Sequence, residues 1–98
     1  MAIRSFADNA TEEIFHGRES RATKRRYSED LRRRAKQKLD ILNAARELRD
    51  LYSPRSLRLE PLKGDRAGFW SIRVNVQWRI VFRWESGTAY DVLLEDYH

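Results

Sequence analysis

Arg73 and Arg79, the loop Lys63-Gly64-Asp65-Arg66-Ala67-Gly68, and an imidazole at His98 behind Asp96 and Tyr97 are the groups in this chain that could act on a phosphate. The two arginines are placed by pattern. Trp70, Ile72 and Val74 alternate with Phe69, Ser71 and Arg73; Trp78, Ile80, Phe82 and Trp84 alternate with Arg79, Val81 and Arg83. For the two apolar sets to share a face across a hairpin, paired residue numbers must sum to an even value, and a three-residue loop at 75–77 satisfies this. Val74 then faces Trp78, Ile72 faces Ile80 and Trp70 faces Phe82. On the other face Arg73 stands directly across from Arg79, and Phe69 across from Arg83. Like charges directly opposed on a sheet are destabilising. An anion held between the two guanidinium groups would turn that conflict into a binding site. Two blander outcomes stand beside it: both side chains splay into water, or Asp91 and Glu95 on the next strand neutralise them.

The loop at 63–68 brings two glycines, a lysine and an arginine, a composition suited to phosphate, but without the Gly-x-x-x-x-Gly-Lys-[Ser/Thr] spacing of a P-loop. As a tight turn with incidental charge it would carry no function. Histidine is the side chain best suited to proton transfer near neutral pH, although an imidazole at a final position is ordinarily frayed and inert. His16, four residues after Glu12, reads as a surface pair rather than part of a ligand set. The three tryptophans fall in the apolar alternation and read as core, not as base-stacking platforms.

The elements that must hold these groups come as helices first and sheet second. Ala2–Phe6 is expected to be extended. Asn9 is expected to cap a helix of one to two turns, with Glu12 at the capping-box position and Gly17 as its stop. Ser28, followed by Glu29 and Asp30, starts a second helix. Its apolar residues Tyr27, Leu31, Ala35, Leu39 and Leu42 share one face, with Arg32, Arg33, Lys36 and Asp40 turned away. Asn43 is expected to interrupt it and re-cap a shorter continuation, Ala44–Leu51, ended by Ser53-Pro54. From Leu57 the period becomes two. A strand is expected over Leu57–Leu62, with Pro61 pushing it to an edge, followed by the central hairpin. A last strand follows the turn Glu85-Ser86-Gly87-Thr88, with Tyr90, Val92 and Leu94 inward and Asp91, Leu93 and Glu95 outward. The apolar sheet face needs a cover and the amphipathic helix supplies it, so the class is α+β: a short N-terminal strand and two or three helices packed on an antiparallel meander.

Composition fits one domain over residues 1–98. The 98 residues include 20 Lys and Arg against 15 Asp and Glu, for a formal charge of +5, and 11% are aromatic, which argues for a folded module. The charge is uneven. Between Arg18 and Lys38 ten basic residues stand against three acidic ones, a net +7. Such a cluster is either the footprint of a polyanion such as nucleic acid or a solvated helix face. There is no cysteine, hence no disulfide framework and no thiolate-bound metal. The first residues form no apolar signal segment and no apolar run is long enough to span a bilayer, so a cytoplasmic protein with no membrane partner is expected.

Several stretches together resemble the HigB-type toxins of the RelE/ParE toxin–antitoxin superfamily. They are Ile3-Arg4-Ser5-Phe6, Leu59-Glu60-Pro61-Leu62-Lys63-Gly64-Asp65-Arg66-Ala67-Gly68, Trp70-Ser71-Ile72-Arg73-Val74-Asn75, Gln77-Trp78-Arg79-Ile80 and Glu95-Asp96-Tyr97-His98. The resemblance covers nearly the whole chain. It implies a small RelE-like domain and a bacterial toxin that enters the A site of the 70S ribosome and cleaves mRNA there without metal or cofactor. In that chemistry the ribose 2′-hydroxyl attacks the neighbouring phosphate, leaving a cyclic phosphate and a 5′-hydroxyl. It further implies neutralisation by a helix-turn-helix antitoxin of the HigA type, which carries the complex to operator DNA. Mapped onto this sequence, His98 would be general acid or base, Arg79 would stabilise the phosphorane, Lys63 would bind a phosphate, and Asp96 and Tyr97 would orient His98 and the nucleotide. Arg73, Arg66 and Arg83 would add positive potential, and Arg32, Arg33, Arg34 and Lys36 would meet ribosomal RNA. Glu60 departs from the pattern, because some family members carry histidine there; a carboxylate can accept a proton but cannot act as a cation. Relatives of the ParE branch poison gyrase instead, and a third possibility is an RNA-binding inhibitor that does not cut. The set Lys63, Arg79 and His98 speaks for the nuclease.

Overall fold

The computed structural model describes residues 1–97. Three α-helices, α1 (Asn9–His16), α2 (Arg21–Arg26) and α3 (Glu29–Ala44), precede a four-stranded antiparallel sheet of β1 (Glu60–Pro61), β2 (Phe69–Arg73), β3 (Trp78–Glu85) and β4 (Thr88–Asp96) in the order β1-β2-β3-β4. Short 3₁₀ turns at Leu48–Tyr52 and Arg55–Leu57 join the two halves. The face of α3 read from its spacing is the one that is buried: Leu31, Ala35, Leu39 and Leu42 pack against Ile72, Val74, Ile80, Phe82, Val92 and Leu94 of the sheet. Ser28 caps α3, its Oγ accepting from the Leu31 N–H. Trp70, Trp78 and Trp84 lie half-buried against this core, the Trp78 ring edge-on to Tyr27 at 5.4 Å. No helix among the described residues is long and apolar enough to cross a membrane.

The N-terminal segment is extended as expected and runs parallel to β4, with bridges Ile3–Ala89 and Phe6–Val92. Asn43 is what anchors it. Rather than interrupting a helix, Asn43 lies in the last turn of α3, where its carbonyl accepts from Ala2 N–H at 2.9 Å and its Oδ1 from Ile3 N–H at 3.1 Å. The expected continuation Ala44–Leu51 is absent, because Ala45 turns to extended backbone and Glu47 and Asp50 cap a 3₁₀ turn over Leu48–Tyr52 instead. At the first helix the cap is Asp8, not Asn9: its Oδ1 accepts from Thr11 N–H at 2.8 Å, and Gly17 ends the helix in the left-handed conformation.

Helix α2 has no apolar periodicity to announce it. It is six residues long and rests on polar ties. Glu13 accepts from Ser20 N–H at 2.9 Å and from the Thr23 hydroxyl at 2.8 Å, bonds that hold its carboxyl below the usual carboxylate range. Arg32 completes the junction, donating from Nε to Glu19 at 2.9 Å and from Nη1 to the carbonyls of Lys24 and Tyr27. Of the arginines expected on the outer face of α3, Arg32 is thus turned inward to knit three segments, its side chain 13% exposed. Arg33 and Arg34 are exposed and share Asp30, and Lys36 pairs with Asp40 at 2.7 Å.

Two departures in the sheet bear on the site. The strand expected over Leu57–Leu62 is only Glu60–Pro61, because Arg58 adopts a left-handed conformation (φ 46°) after the 3₁₀ turn and breaks the extended run. In β4 the alternation slips: Asp91 has φ 54° and forms a bulge between the pairs Val81–Leu93 and Arg83–Tyr90. Ala89, not Tyr90, therefore enters the core, and the Tyr90 ring lies on the open face under Arg83 at 4.5 Å. The Ser5 hydroxyl accepts the bulge N–H of Asp91 at 2.9 Å.

The ties of Arg32 generate a stability prediction. Arg32→Gln should cost about 2 kcal/mol in urea unfolding, the scale for losing hydrogen bonds of a charged group. Arg33→Gln and Arg34→Gln break exposed ion pairs and should leave the midpoint unchanged. Equal losses at all three positions would contradict the inward role of Arg32.

Candidate active site

The central hairpin carries the register read from parity: Ile72–Ile80, Trp70–Phe82, Phe69–Arg83 and Arg73–Arg79. Arg73 and Arg79 do stand directly opposed. The neutralising alternative fails, because Glu95 and Asp91, the two acids it invokes, serve other arginines. Glu95 holds Arg66 in a two-pronged pair at 2.9 and 2.8 Å, which raises the Arg66 pKa, and Asp91 lies 3.6 Å from Arg83. The arginines divide the open face by environment. Arg73 is half-buried, its Nε donating to the Asn75 carbonyl at 3.1 Å. Arg79 is buried at 5% exposure.

Arg79 is satisfied by three elements. Its Nε donates to the Ser71 hydroxyl at 2.7 Å, and its Nη2 to the carbonyls of Arg58 at 2.5 Å and Ser71 at 3.3 Å. Glu60 on β1, paired with Ser71 across the strands, brings a carboxylate oxygen to 3.1 Å from the same Nη2. The Tyr97 ring lies 5.2 Å from the guanidinium carbon, and the Tyr97 N–H donates to the Gln77 carbonyl. Burial pushes the Arg79 pKa down, the Glu60 charge opposes this, and Arg73 and Arg58 add to the depression. Among the described residues no partner engages Nη1, which leaves that nitrogen for a ligand.

These residues enclose an open cleft of about 300 Å³ lined by Arg58, Glu60, Arg73, Asn75, Val76, Arg79 and Tyr97. The β2–β3 turn that forms one wall is fixed by Asn75, whose Oδ1 accepts from the N–H groups of Gln77 and Trp78, each at 2.8 Å. Of the residues singled out in the sequence, the fold brings Glu60, Arg73, Arg79 and Tyr97 together here. Asp96 stands at the end of β4, accepting from Gln77 Nε2 at 3.0 Å. Lys63 is exposed on the loop after β1 and does not line the cleft. Arg66 is committed to Glu95, and Arg83 is four strand positions beyond Arg79, about 13 Å along β3. His98 lies outside the described residues. Arg58, Ser71, Asn75 and Val76 were not singled out. Ser71, a small polar residue in mid-strand on the face of two arginines, carried a readable signal; Arg58 carried none, since arginine has no special preference for the left-handed conformation.

The fold is the one seen in RelE-like toxins. The whole chain superposes on a YoeB/ParE toxin from Agrobacterium tumefaciens with a TM-score of 0.53 at 18% identity, covering 99% of that chain. It superposes on a chain of the YoeB–YefM complex from Staphylococcus aureus with a TM-score of 0.58 at 13% identity, again covering 99%. These likenesses concern the fold. Residues 4–98 match the model of the HigB-like toxins, described as the RelE-like toxin of type II toxin–antitoxin system HigB, and the chain belongs to that family. It is 43% identical over 65 residues to Endoribonuclease HigB of Proteus vulgaris, spanning 66% of this chain and 70% of that protein. With Toxin HigB-1 of Vibrio cholerae it shares 45% identity over 58 residues, 59% of this chain and 61% of that protein.

Arg73→Thr removes a cross-strand repulsion of about 0.2–1 kcal/mol and one hydrogen bond of similar net worth. The melting temperature should stay where it is, while binding of RNA weakens through loss of positive potential at the cleft. A lower melting temperature would make Arg73 structural, and unchanged binding would remove it from the site.

Proposed function

We propose that the protein is a ribosome-dependent endoribonuclease that cuts mRNA in the A site, the toxin of a type II pair. The observation that carries this reading is the buried Arg79 guanidinium with a carboxylate 3.1 Å away and an aromatic ring beside it, in a chain of the HigB-like family. In the proposed reaction the ribose 2′-oxygen bonds to the adjacent phosphorus as its proton passes to Glu60, and the bond to the 5′-oxygen breaks. The leaving oxygen takes a proton from His98. A cyclic phosphate and a 5′-hydroxyl result, and the chemistry runs through side chains alone. Arg79, already fixed by Ser71 and Arg58, meets the charge that develops on the phosphorane without reorganising, which is where preorganised donors contribute most. Lys63 holds a neighbouring phosphate, and Asp96 and Tyr97 orient His98 and the nucleotide.

The exposed Arg33, Arg34 and Lys36 face ribosomal RNA, while Arg32 supports the helices that present them. The partner that silences the toxin is a helix-turn-helix antitoxin of the HigA type, through which the complex reaches operator DNA. The site of action is the cytoplasm, where the ribosomes are.

Primer extension on a translated mRNA tests the reading. Wild-type protein should give discrete stops that require translation, and His98→Ala should give none while melting as the wild type does. Growth arrest with a DNA-damage response and no stops would point to gyrase; arrest with neither would point to occlusion of the ribosome. Cutting by His98→Ala would remove His98 from the chemistry.

Glu60→Gln should slow single-turnover cleavage by about 10²-fold or more with ribosome binding retained, the scale for loss of a general base. Equal rates would leave Glu60 a bystander that only balances the charge of Arg79.

A further inference from the structure

The cleft around Arg79 does not end at Arg73. Arg58, Arg73, Asn75 and Val76 also line a second, larger cavity of about 500 Å³ that reaches α3, where Arg34 and Lys38 close it. The two cavities differ in chemistry. The inner one holds the Glu60 carboxylate and the Tyr97 ring beside Arg79. The outer one is lined by four cations and no acid, with the Ser56 hydroxyl as a further donor. Among the described residues no carboxylate comes within ion-pair distance of Lys38, Arg58 or Arg73, and the Arg34–Asp30 pair is exposed and cheaply exchanged. Uncompensated positive charge in a concavity focuses potential and draws an anion. Val76, 86% exposed on the turn between the cavities, offers an apolar surface for a base or ribose.

We propose that the outer cavity seats the phosphates of the substrate RNA strand that flank the scissile one, with Lys38 and Arg58 as their principal ligands. The proposal rests on the RNA-cleavage reading of the inner cleft and extends the site beyond it onto α3. Arg58 serves both cavities: its carbonyl fixes Arg79, and its side chain binds the strand. Lys38, half-buried on α3, acts by its side chain alone.

The test uses a short single-stranded 2′-O-methyl RNA, in which the attacking hydroxyl is blocked, and measures binding by fluorescence anisotropy over a range of salt. Lys38→Gln removes one cation. Arg58→Asn removes the other while keeping the left-handed backbone and its carbonyl, since asparagine tolerates that conformation. Each should bind roughly fivefold more weakly at low salt and reduce the log–log salt slope by about 0.7, the value for one lost single-strand phosphate contact. Both should melt as the wild type does. Wild-type binding by the variants, no binding by the wild type even at low salt, or full competition by inorganic phosphate at the concentration of the RNA would overturn the proposal. So would variants that lose only their affinity for vacant ribosomes, which would assign the cavity to ribosomal RNA. The two readings separate cleanly. If the wild type fails to cut translated mRNA yet Lys38→Gln still weakens RNA binding, the outer cavity keeps an RNA-phosphate seat, but the nuclease reading, and with it any scissile phosphate to flank, falls. If the wild type cuts and both variants bind and cut equally well, the seat falls alone.

Discussion

A guanidinium taken out of water is tolerated only where its donors are met and some opposite charge is near. Arg79 meets that condition by drawing on three separate stretches of chain. The hairpin register sets Ser71 diagonally behind it, the left-handed turn at Arg58 aims a carbonyl at it, and the short strand β1 supplies Glu60. Each stretch is therefore constrained by the same side chain. A slip of one residue in β2 would move Ser71 to the core face and leave a buried cation without its nearest acceptor. The depressed pKa of Arg79 reflects the burial that the fold accepts in order to hold a rigid donor at the cleft.

The rest of the sheet follows from dividing its two faces. Helix α3 covers one face, the N-terminal segment lies along the β4 edge, and the charges are gathered on the other face. There two acids of β4 are assigned to other arginines, Glu95 to Arg66 and Asp91 to Arg83. Among the described residues that line the cleft, Glu60 is the one carboxylate, set against Arg58, Arg73 and Arg79. Opposed arginines would be a fault in a structural sheet; in the proposed reaction they supply the positive potential that a phosphate needs. The bulge at Asp91 contributes by turning Tyr90 outward and bringing Ala89 inward, which lets the N-terminal segment lie close along β4.

The central hairpin was legible because parity is a strict constraint: with one face buried, only even sums keep the tryptophans and isoleucines together. The core face of α3 was legible for the same kind of reason, a repeat of three and four. What escaped was built on polar bonds between distant residues. Helix α2 depends on Glu13 and Arg32, and Asn43 serves the N-terminal segment 40 residues away. Arg58 takes left-handed backbone although its type does not announce it, and Asp91, whose type tolerates it, does so inside an otherwise regular strand alternation. At the site, Glu60, Arg73, Arg79 and Tyr97 come together as the motifs suggest, whereas Lys63 and Arg66, which belong to the same motifs, and Arg83 do not line the cleft. Charge in a sequence shows that a cation is present; only its partners show whether it is free to bind.

In the proposed mechanism Arg79 acts as a fixed fork and not merely as a positive charge. Arg79→Lys keeps the charge but replaces the planar array of donors with one compact ammonium, which cannot bond Ser71 and Arg58 while also meeting a phosphate oxygen. Single-turnover cleavage of mRNA on programmed ribosomes is the direct measurement. The rate should fall about 10²-fold or more below wild type with ribosome binding intact. A wild-type rate for Arg79→Lys would contradict that mechanism.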